Sequence, residues 1–323
     1  MHELTGEGWD DRARDKVEAF LGGDFPGRKV AVFDWDHTSV AGDVGDSCLV
    51  HLLQQGGLRL HPDELAATLP GGELARGYVH TQLADGRDTR RLSDELLSCY
   101  QHLKGRAGER ELVERVWDFY QSTSGAPTLG QGYAYGWVTQ LLAGYHPGEL
   151  VELARYVSGL PRQIPRERIV PVPEMRSLYA ALQRRGFEVW VVSASQRDLV
   201  VGLASWDLYG YHVPPAQVVG MSLEQQPDGV YSPRLTGAFT WRQGKVEAIE
   251  HHIGVAPLLV AGDSPTDLEM LTRFEQTRLR LVIHRRQVEM AHLARLGLSP
   301  DPTVALQGLD VAGHRWVPLA TSA

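Results

Sequence analysis

Four short apolar, β-branched runs separated by helical stretches restrict this chain more than any other feature. They are Lys29-Val-Ala-Val-Phe33, Phe187-Glu-Val-Trp-Val-Val192, Leu258-Leu-Val-Ala261 and Leu279-Arg-Leu-Val-Ile283. None keeps the strict polar/apolar alternation of a half-solvated strand, so each reads as a strand buried on both faces, as in a parallel sheet. Turn residues introduce three of them: Pro26-Gly27, Gly186 and Pro257. A helical stretch from Glu174 to Arg185 precedes the second. Parallel neighbours need crossover connections, usually helices, which cover the faces of the sheet. The pattern predicts an α/β fold, a doubly wound parallel sheet.

Between Asp43 and about Pro165 the character changes. Helical stretches are expected at Val44–Gln55, Pro62–Leu69, Leu74–Ala84, Thr89–Lys104, Arg110–Gln121, Gln131–Ala143 and Pro147–Ser158, punctuated by Gly and Pro. An all-helical domain over residues 43–165, inserted after the first strand, therefore divides an α/β core formed by residues 1–42 and 166–323. The segment Pro161–Pro173, with four prolines, is expected to be the return hinge. Val218–Gly237, with Pro227-Asp-Gly229 at its centre, reads as a β-hairpin, and the tail from Pro302 as one or two short edge strands.

Composition removes several function classes. Forty acidic against 32 basic side chains give a net charge of −8, which opposes nucleic-acid binding and a polybasic membrane anchor. No apolar run approaches the roughly 20 residues that span a bilayer. Met1–Gly23 carries acidic residues and no uninterrupted apolar core, so it does not read as a secretory signal, and a cytoplasmic location is the default expectation. Cys48 and Cys99 are too few for a disulfide framework and are expected as buried thiols.

Chemistry-bearing residues stand where the strands end. The first run leads into Asp34-Trp35-Asp36-His37-Thr38, the second into Ser193-Ala194-Ser195, and the third into Gly262-Asp263-Ser264-Pro265-Thr266-Asp267. Gly244-Lys245 opens a helical run ahead of the third strand, a cation at a helix start where anions bind. If the first strand continues, Asp34 and Asp36 point to the same side. Taken alone, an Asp-x-Asp pair more often only caps a turn. Ligands of open α/β sheets sit at the carboxyl ends of the strands, where this set converges.

In this order, Asp34-Trp-Asp36-His-Thr38, Ser193, Lys245 and Gly262-Asp263 with Asp267 resemble the four motifs of the haloacid dehalogenase-like phosphohydrolases. The resemblance covers about Lys29–Ile283 and implies a Rossmann-like core with a helical cap. It implies Asp34 as nucleophile forming an aspartyl-phosphate, and Asp36 as general acid and then base. Ser193 and Lys245 would hold the phosphoryl oxygens. Mg²⁺ would be bound by Asp34, the main-chain carbonyl of Asp36, Asp263 and waters, with Asp267 orienting Lys245 or a metal-bound water. The carboxylate at Asp36 favours phosphate chemistry over dehalogenation.

The inserted helical region resembles the cap of the phosphoserine phosphatase-like branch. The Ser193-Ala194-Ser195 variant and the motif spacing look closest to bacterial phosphorylcholine phosphatases. The expected activity is hydrolysis of a small phosphorylated metabolite, phosphorylcholine or another amino-alcohol or amino-acid phosphate. A phosphotransferase or a non-catalytic binding protein on the same scaffold are the alternatives, and a homodimer is left open. Substrate contacts are expected from Thr38, Trp35, Ala194, Ser195 and Asp43, the last either facing a cationic nitrogen or capping the helix at Val44. Trp117, Phe119, Tyr120, Tyr133, Tyr135, Trp137 and Tyr145 either join Trp35 in a cation–π cage or form the inserted domain's own core. Arg76, Arg87, Arg90 and Arg91 are candidates for a carboxylate clamp, weighed against a solvated face. His251 and His252 are adjacent, poor spacing for one metal, and read as helix surface.

Overall fold

The structure is a computed structural model that describes residues 4–126, 128–161, 168–285 and 288–319. Its strands are β1 (Val30–Phe33), β2 (Val40–Ala41), β3 (Val170–Pro171), β4 (Glu188–Gln196), β5 (Val218–Gln225), β6 (Tyr231–Thr236), β7 (Leu259–Gly262), β8 (Leu279–His284), β9 (Val304–Asp310) and β10 (Arg315–Val317). Its α-helices are α1 (Asp11–Leu21), α2 (Val44–Gln54), α3 (Pro62–Thr68), α4 (Thr89–Leu103), α5 (Arg110–Ser124), α6 (Gly130–Gln140), α7 (Pro147–Ser158), α8 (Pro173–Arg184), α9 (Arg197–Ala204), α10 (Gln243–His252), α11 (Leu268–Arg273) and α12 (Ala291–Leu298).

An eight-stranded sheet runs β10-β9-β8-β7-β1-β4-β5-β6. The five strands from β9 to β4 run parallel to one another. The four apolar runs supply β1, β4, β7 and β8 at its centre. All residues of β1 and β7 are buried, as a strand covered on both faces requires. Val30, Val32, Val192, Val260 and Val282 pack with Val246 and Ile249 of α10 and Met270 and Leu271 of α11 in one apolar cluster. Antiparallel strands close the edges: the three-residue β10 at one, and β6 with its Pro233 at the other, where a missing N–H is tolerated. The α/β, doubly wound expectation holds.

The chain divides into two compact units: residues 1–44, 168–220 and 238–323 in one, 45–167 and 221–237 in the other. The second is built of α2 to α7 with the outer part of the hairpin β5–β6. Inside it, Trp137, Phe119 and Tyr133 pack together, with Phe119 and Trp137 centroids 4.7 Å apart. In the first unit, the two linkers flanking the helical insertion pair as β2 and β3, antiparallel. Gly42 makes that approach feasible: its φ is +103°, and a Cβ there would sit 2.4 Å from the Arg168 carbonyl oxygen.

Four expectations need correction. Residues 74–84 form turns and a bridge at Gln82–Asp88, not a helix, because Arg76 and Gly77 take positive φ angles that no right-handed helix accommodates. The tail supplies one true edge strand, β10; β9 lies inside it, parallel to β8. β4 runs on through Gln196, so Ser193, Ala194 and Ser195 lie within the strand and not beyond its end. β1 stops at Phe33, and the chain turns before Asp36. Residues 162–167 of the expected hinge lie outside the described residues. Cys48 and Cys99 are buried thiols outside any disulfide, as expected. No helix among the described residues is long and apolar enough to cross a membrane.

Candidate active site

Strands β7, β1 and β4 are adjacent and parallel, so their carboxyl ends share one edge. Asp34 follows β1, its amide donating to the Ala261 carbonyl of β7 at 2.9 Å. Asp263 follows β7. Beyond Asp34 the chain reverses tightly: the amides of Thr38, Ser39 and Val40 all turn toward the Trp35 carbonyl, at 3.3, 2.8 and 3.2 Å, and His37 adopts φ +56°. This turn brings the Thr38 hydroxyl back to Asp34 Oδ2 (3.2 Å) and Asp263 Oδ1 (3.1 Å). Ser39 Oγ fixes the loop from below by donating to the Asp34 carbonyl at 2.6 Å.

Lys245 enters from the first turn of α10. Its ammonium is fully buried and lies 2.6 Å from both Asp34 Oδ1 and Asp267 Oδ1. Two features set that helix start. Gly244 leaves no room for a side chain, since a Cβ would fall 1.8 Å from the Phe239 carbonyl oxygen. Arg242 donates its amide to the Thr266 carbonyl at 3.0 Å and its guanidinium to Glu269 at 2.7–2.8 Å, tying α10 to the loop that carries Asp267. Asp267 Oδ2 accepts the amides of Asp263 and Ser264 at 3.0 and 3.1 Å. Asp267 is thus a fixed counter-ion for Lys245, one of the two roles expected for it.

The electrostatics show a surplus of negative charge. Burial pushes the Asp34 carboxyl well above the usual range, Asp267 pushes it further, and Lys245 only partly offsets this. Burial also raises Asp263, with Arg285 and Asp267 pulling in opposite directions. Burial would lower the Lys245 ammonium, but Asp267 and Asp34 outweigh it, so the group stays firmly protonated. Among the described residues, Asp34, Asp263 and Asp267 each offer an oxygen within 4.8 Å of the others. An all-oxygen, anionic set of this kind fits a hard divalent cation such as Mg²⁺, with Asp34 Oδ2 and Asp263 Oδ1 converging at the Thr38 hydroxyl.

The Asp36 carboxylate stands outside that cluster and does not fit the metal-ligand role by its side chain. Its Oδ2 accepts the Ser195 hydroxyl at 2.6 Å and its Oδ1 the Val44 amide at 2.7 Å. Desolvation and the Asp43 charge hold its carboxyl well above the usual range. Such a half-buried acid, next to the cluster in sequence, suits proton transfer. Asp43 itself is half-buried. The amide at Val44 is taken by Asp36.

Ser193 is buried in β4, with its Oγ accepting the Ser195 amide at 3.1 Å and its carbonyl accepting the Thr240 hydroxyl at 2.5 Å. Ala194 and Ser195 are buried beside it. Trp35 does not face a ligand: it is 0 % exposed and packs edge-on to Tyr211 at 5.2 Å. Tyr133, Trp137, Phe119 and Tyr120 are likewise buried in the helical unit's core, and the Tyr133 hydroxyl donates to the Thr68 carbonyl. Arg87 is paired with Asp85 and Asp118, and Arg91 with Glu95, which is the solvated-face reading of those arginines. His251 and His252 are exposed.

Sequence reasoning missed Arg285 and Thr240. Arg285 Nη1 lies 2.6 Å from Asp263 Oδ2. A signal for it existed: the residue follows β8, the strand next to β7, so it belongs to the same sheet edge. Gly262 is a second constraint, because a Cβ there would sit 2.6 Å from Asp267 Cβ. Gly262→Ala is expected to displace Asp267 from Lys245, costing about 1–3 kcal/mol of stability through overpacking, and to lower turnover more than it lowers the unfolding midpoint. Urea unfolding alongside steady-state kinetics checks both.

A family model described as haloacid dehalogenase-like hydrolase matches residues 128–272, the stretch holding Ser193, Lys245, Asp263 and Asp267. Phosphorylcholine phosphatase of Pseudomonas aeruginosa is 25% identical over 96% of this chain and 90% of its own. Among solved structures, a conserved functionally unknown protein from Anaerococcus prevotii DSM 20548 is similar with a TM-score of 0.80 over 98% of this chain and 97% of its own, at 22% identity; that likeness bears on fold. Asp34 and Asp36 precede the matched stretch, and hydrogen bonds join them to it through Lys245 and Ser195. Over residues 128–272 the chain is similar to haloacid dehalogenase-like hydrolases, and the sheet topology and the order of the motif residues agree with that likeness.

Proposed function

We propose that this protein is a Mg²⁺-dependent phosphomonoesterase that hydrolyses a small phosphorylated metabolite through an aspartyl-phosphate on Asp34. One observation carries the reading: the Asp34 carboxylate is held between Lys245 and Thr38, with Asp263 and Asp267 beside it. A carboxylate pinned in this way has lost most of its rotational freedom and is preorganised for attack. Asp34 attacks phosphorus and the ester oxygen leaves with a proton from Asp36. Water then attacks phosphorus with Asp36 as base, releasing phosphate and the Asp34 carboxylate. Lys245, and Ser193 in β4, supply positive charge and a hydroxyl for the phosphoryl oxygens. Asp34 and Asp263 would hold Mg²⁺, with the main-chain carbonyl of Asp36 in the set by family resemblance. When bound, the ion neutralises the charge that builds between carboxylate and phosphate.

Phosphorylcholine or a related amino-alcohol or amino-acid phosphate is the favoured substrate class. Two things support it: the name of the Pseudomonas relative, and Asp43, whose charge is felt at Asp36 and would suit a cationic head group. The test is phosphate release from phosphorylcholine, phosphoserine, sugar phosphates and p-nitrophenyl phosphate, side by side. Chelation with EDTA is expected to abolish release and added Mg²⁺ to restore it. Phosphorylcholine is expected to lead in kcat/KM by about tenfold, or 1.4 kcal/mol. No release from any ester with Mg²⁺ present would overturn the activity; a lead by sugar phosphates would overturn the substrate class alone.

A further inference from the structure

Ser195 lies outside the four motif positions, and its surroundings give it a task. Its hydroxyl reaches Asp36 Oδ2 at 2.6 Å, while the Val44 amide reaches Oδ1 at 2.7 Å. The two donors come from separate segments, β4 and the start of α2, so the plane of the carboxyl is fixed from both sides. The terminal torsion of an Asp side chain is otherwise broad. Ser195 is itself held: it is 7% exposed, its amide donates to Ser193 Oγ at 3.1 Å, and its carbonyl faces Gly220, where a Cβ would come within 2.7 Å.

The two partners differ chemically. A main-chain amide only donates, so Oδ1 is kept an acceptor and the transferable proton is confined to Oδ2. A serine hydroxyl donates and accepts. It therefore keeps a hydrogen bond to Oδ2 whether Asp36 is ionised or protonated. We infer that Ser195 is a positioning residue for proton transfer, holding the Asp36 carboxyl so that the proton on Oδ2 goes to the leaving alcohol oxygen and is regained from the attacking water. The inference rests on Asp36 being the general acid and base.

Its test uses the leaving group. Departure of p-nitrophenolate needs little protonation, whereas departure of an alkoxide from an alkyl phosphate such as phosphorylcholine depends on it. The quantity to measure is kcat/KM, which reports phosphoryl transfer to Asp34. Ser195→Ala is expected to lower it by about tenfold or more on the alkyl ester, against the roughly 10²–10⁴-fold typical of a whole acid–base group, and by less than about threefold on p-nitrophenyl phosphate. Near-normal turnover of the nitrophenyl ester doubles as proof of folding, and Ser195→Thr is expected to restore the alkyl ester. Asp36→Asn should show the same bias, larger. If Asp36→Asn is biased and Ser195→Ala is not, or Ser195→Ala loses both substrates equally, the role of Ser195 is overturned while that of Asp36 stands. If Asp36→Asn shows no bias, the acid–base assignment falls and the Ser195 inference with it.

Discussion

Asp34→Asn is expected to lower kcat/KM by at least about 10³-fold, as loss of a covalent nucleophile does, while leaving the thermal midpoint of the metal-free protein unchanged or raised. The two halves of this result have separate causes. Activity needs a carboxylate that can attack phosphorus, and an amide of nearly the same shape cannot. Stability responds to charge. In the native site, burial and the neighbouring Asp267 and Asp263 carboxylates all oppose ionisation of Asp34. Removing that charge relieves repulsion, and Lys245 keeps Asp267 as its partner at 2.6 Å. Calorimetry and steady-state kinetics on one preparation check both halves. A large fall in midpoint would mean that Asp34 is a structural ion-pair member rather than a poised nucleophile.

Lys245→Met has the opposite balance. The ammonium is fully buried and serves two carboxylates at once. Deleting it leaves Asp34 and Asp267 facing each other without a cation, and removing one partner of a buried pair costs about 3–5 kcal/mol. Both turnover and the urea midpoint are therefore expected to collapse. Adding Asp267→Asn to Lys245→Met should recover part of the lost stability, because it removes one of the stranded charges; residues in contact couple in this way. Turnover should stay lost in the double variant. Purely additive stabilities would show that Lys245 and Asp267 do not interact as the 2.6 Å contact implies.

The centre of the fold was legible because buried parallel strands leave a continuous apolar record. Each of the four runs became a strand, with its ends shifted by a residue or a few. Asp34, Asp263 and Lys245 were legible for a related reason: they stand directly after strands or at a helix start, where the chain must emerge. The misses share a different cause. Residues 74–84 carry helix-compatible residues, but reversed backbone at Arg76 and Gly77 overrides propensity. α1 left a signal outside the expected elements, the cap Asp10 and the apolar spacing of Ala13, Val17, Phe20 and Leu21, all of which are buried. Asp36 was expected to point with Asp34 along a continuing strand; the turn at residues 35–40 sends it to Ser195 instead. That contact, and those of Arg285 and Thr240, depend on which strands neighbour each other, which no local pattern encodes.

The most direct test of the central claim is to quench the enzyme in acid during turnover and map the phosphoryl group by peptide mass spectrometry. A phosphoryl group on Asp34, absent from Asp34→Asn and formed only when divalent metal is present, is the predicted result. Phosphate released at full rate with no phosphoryl group on Asp34, or with one on another side chain, would contradict the account.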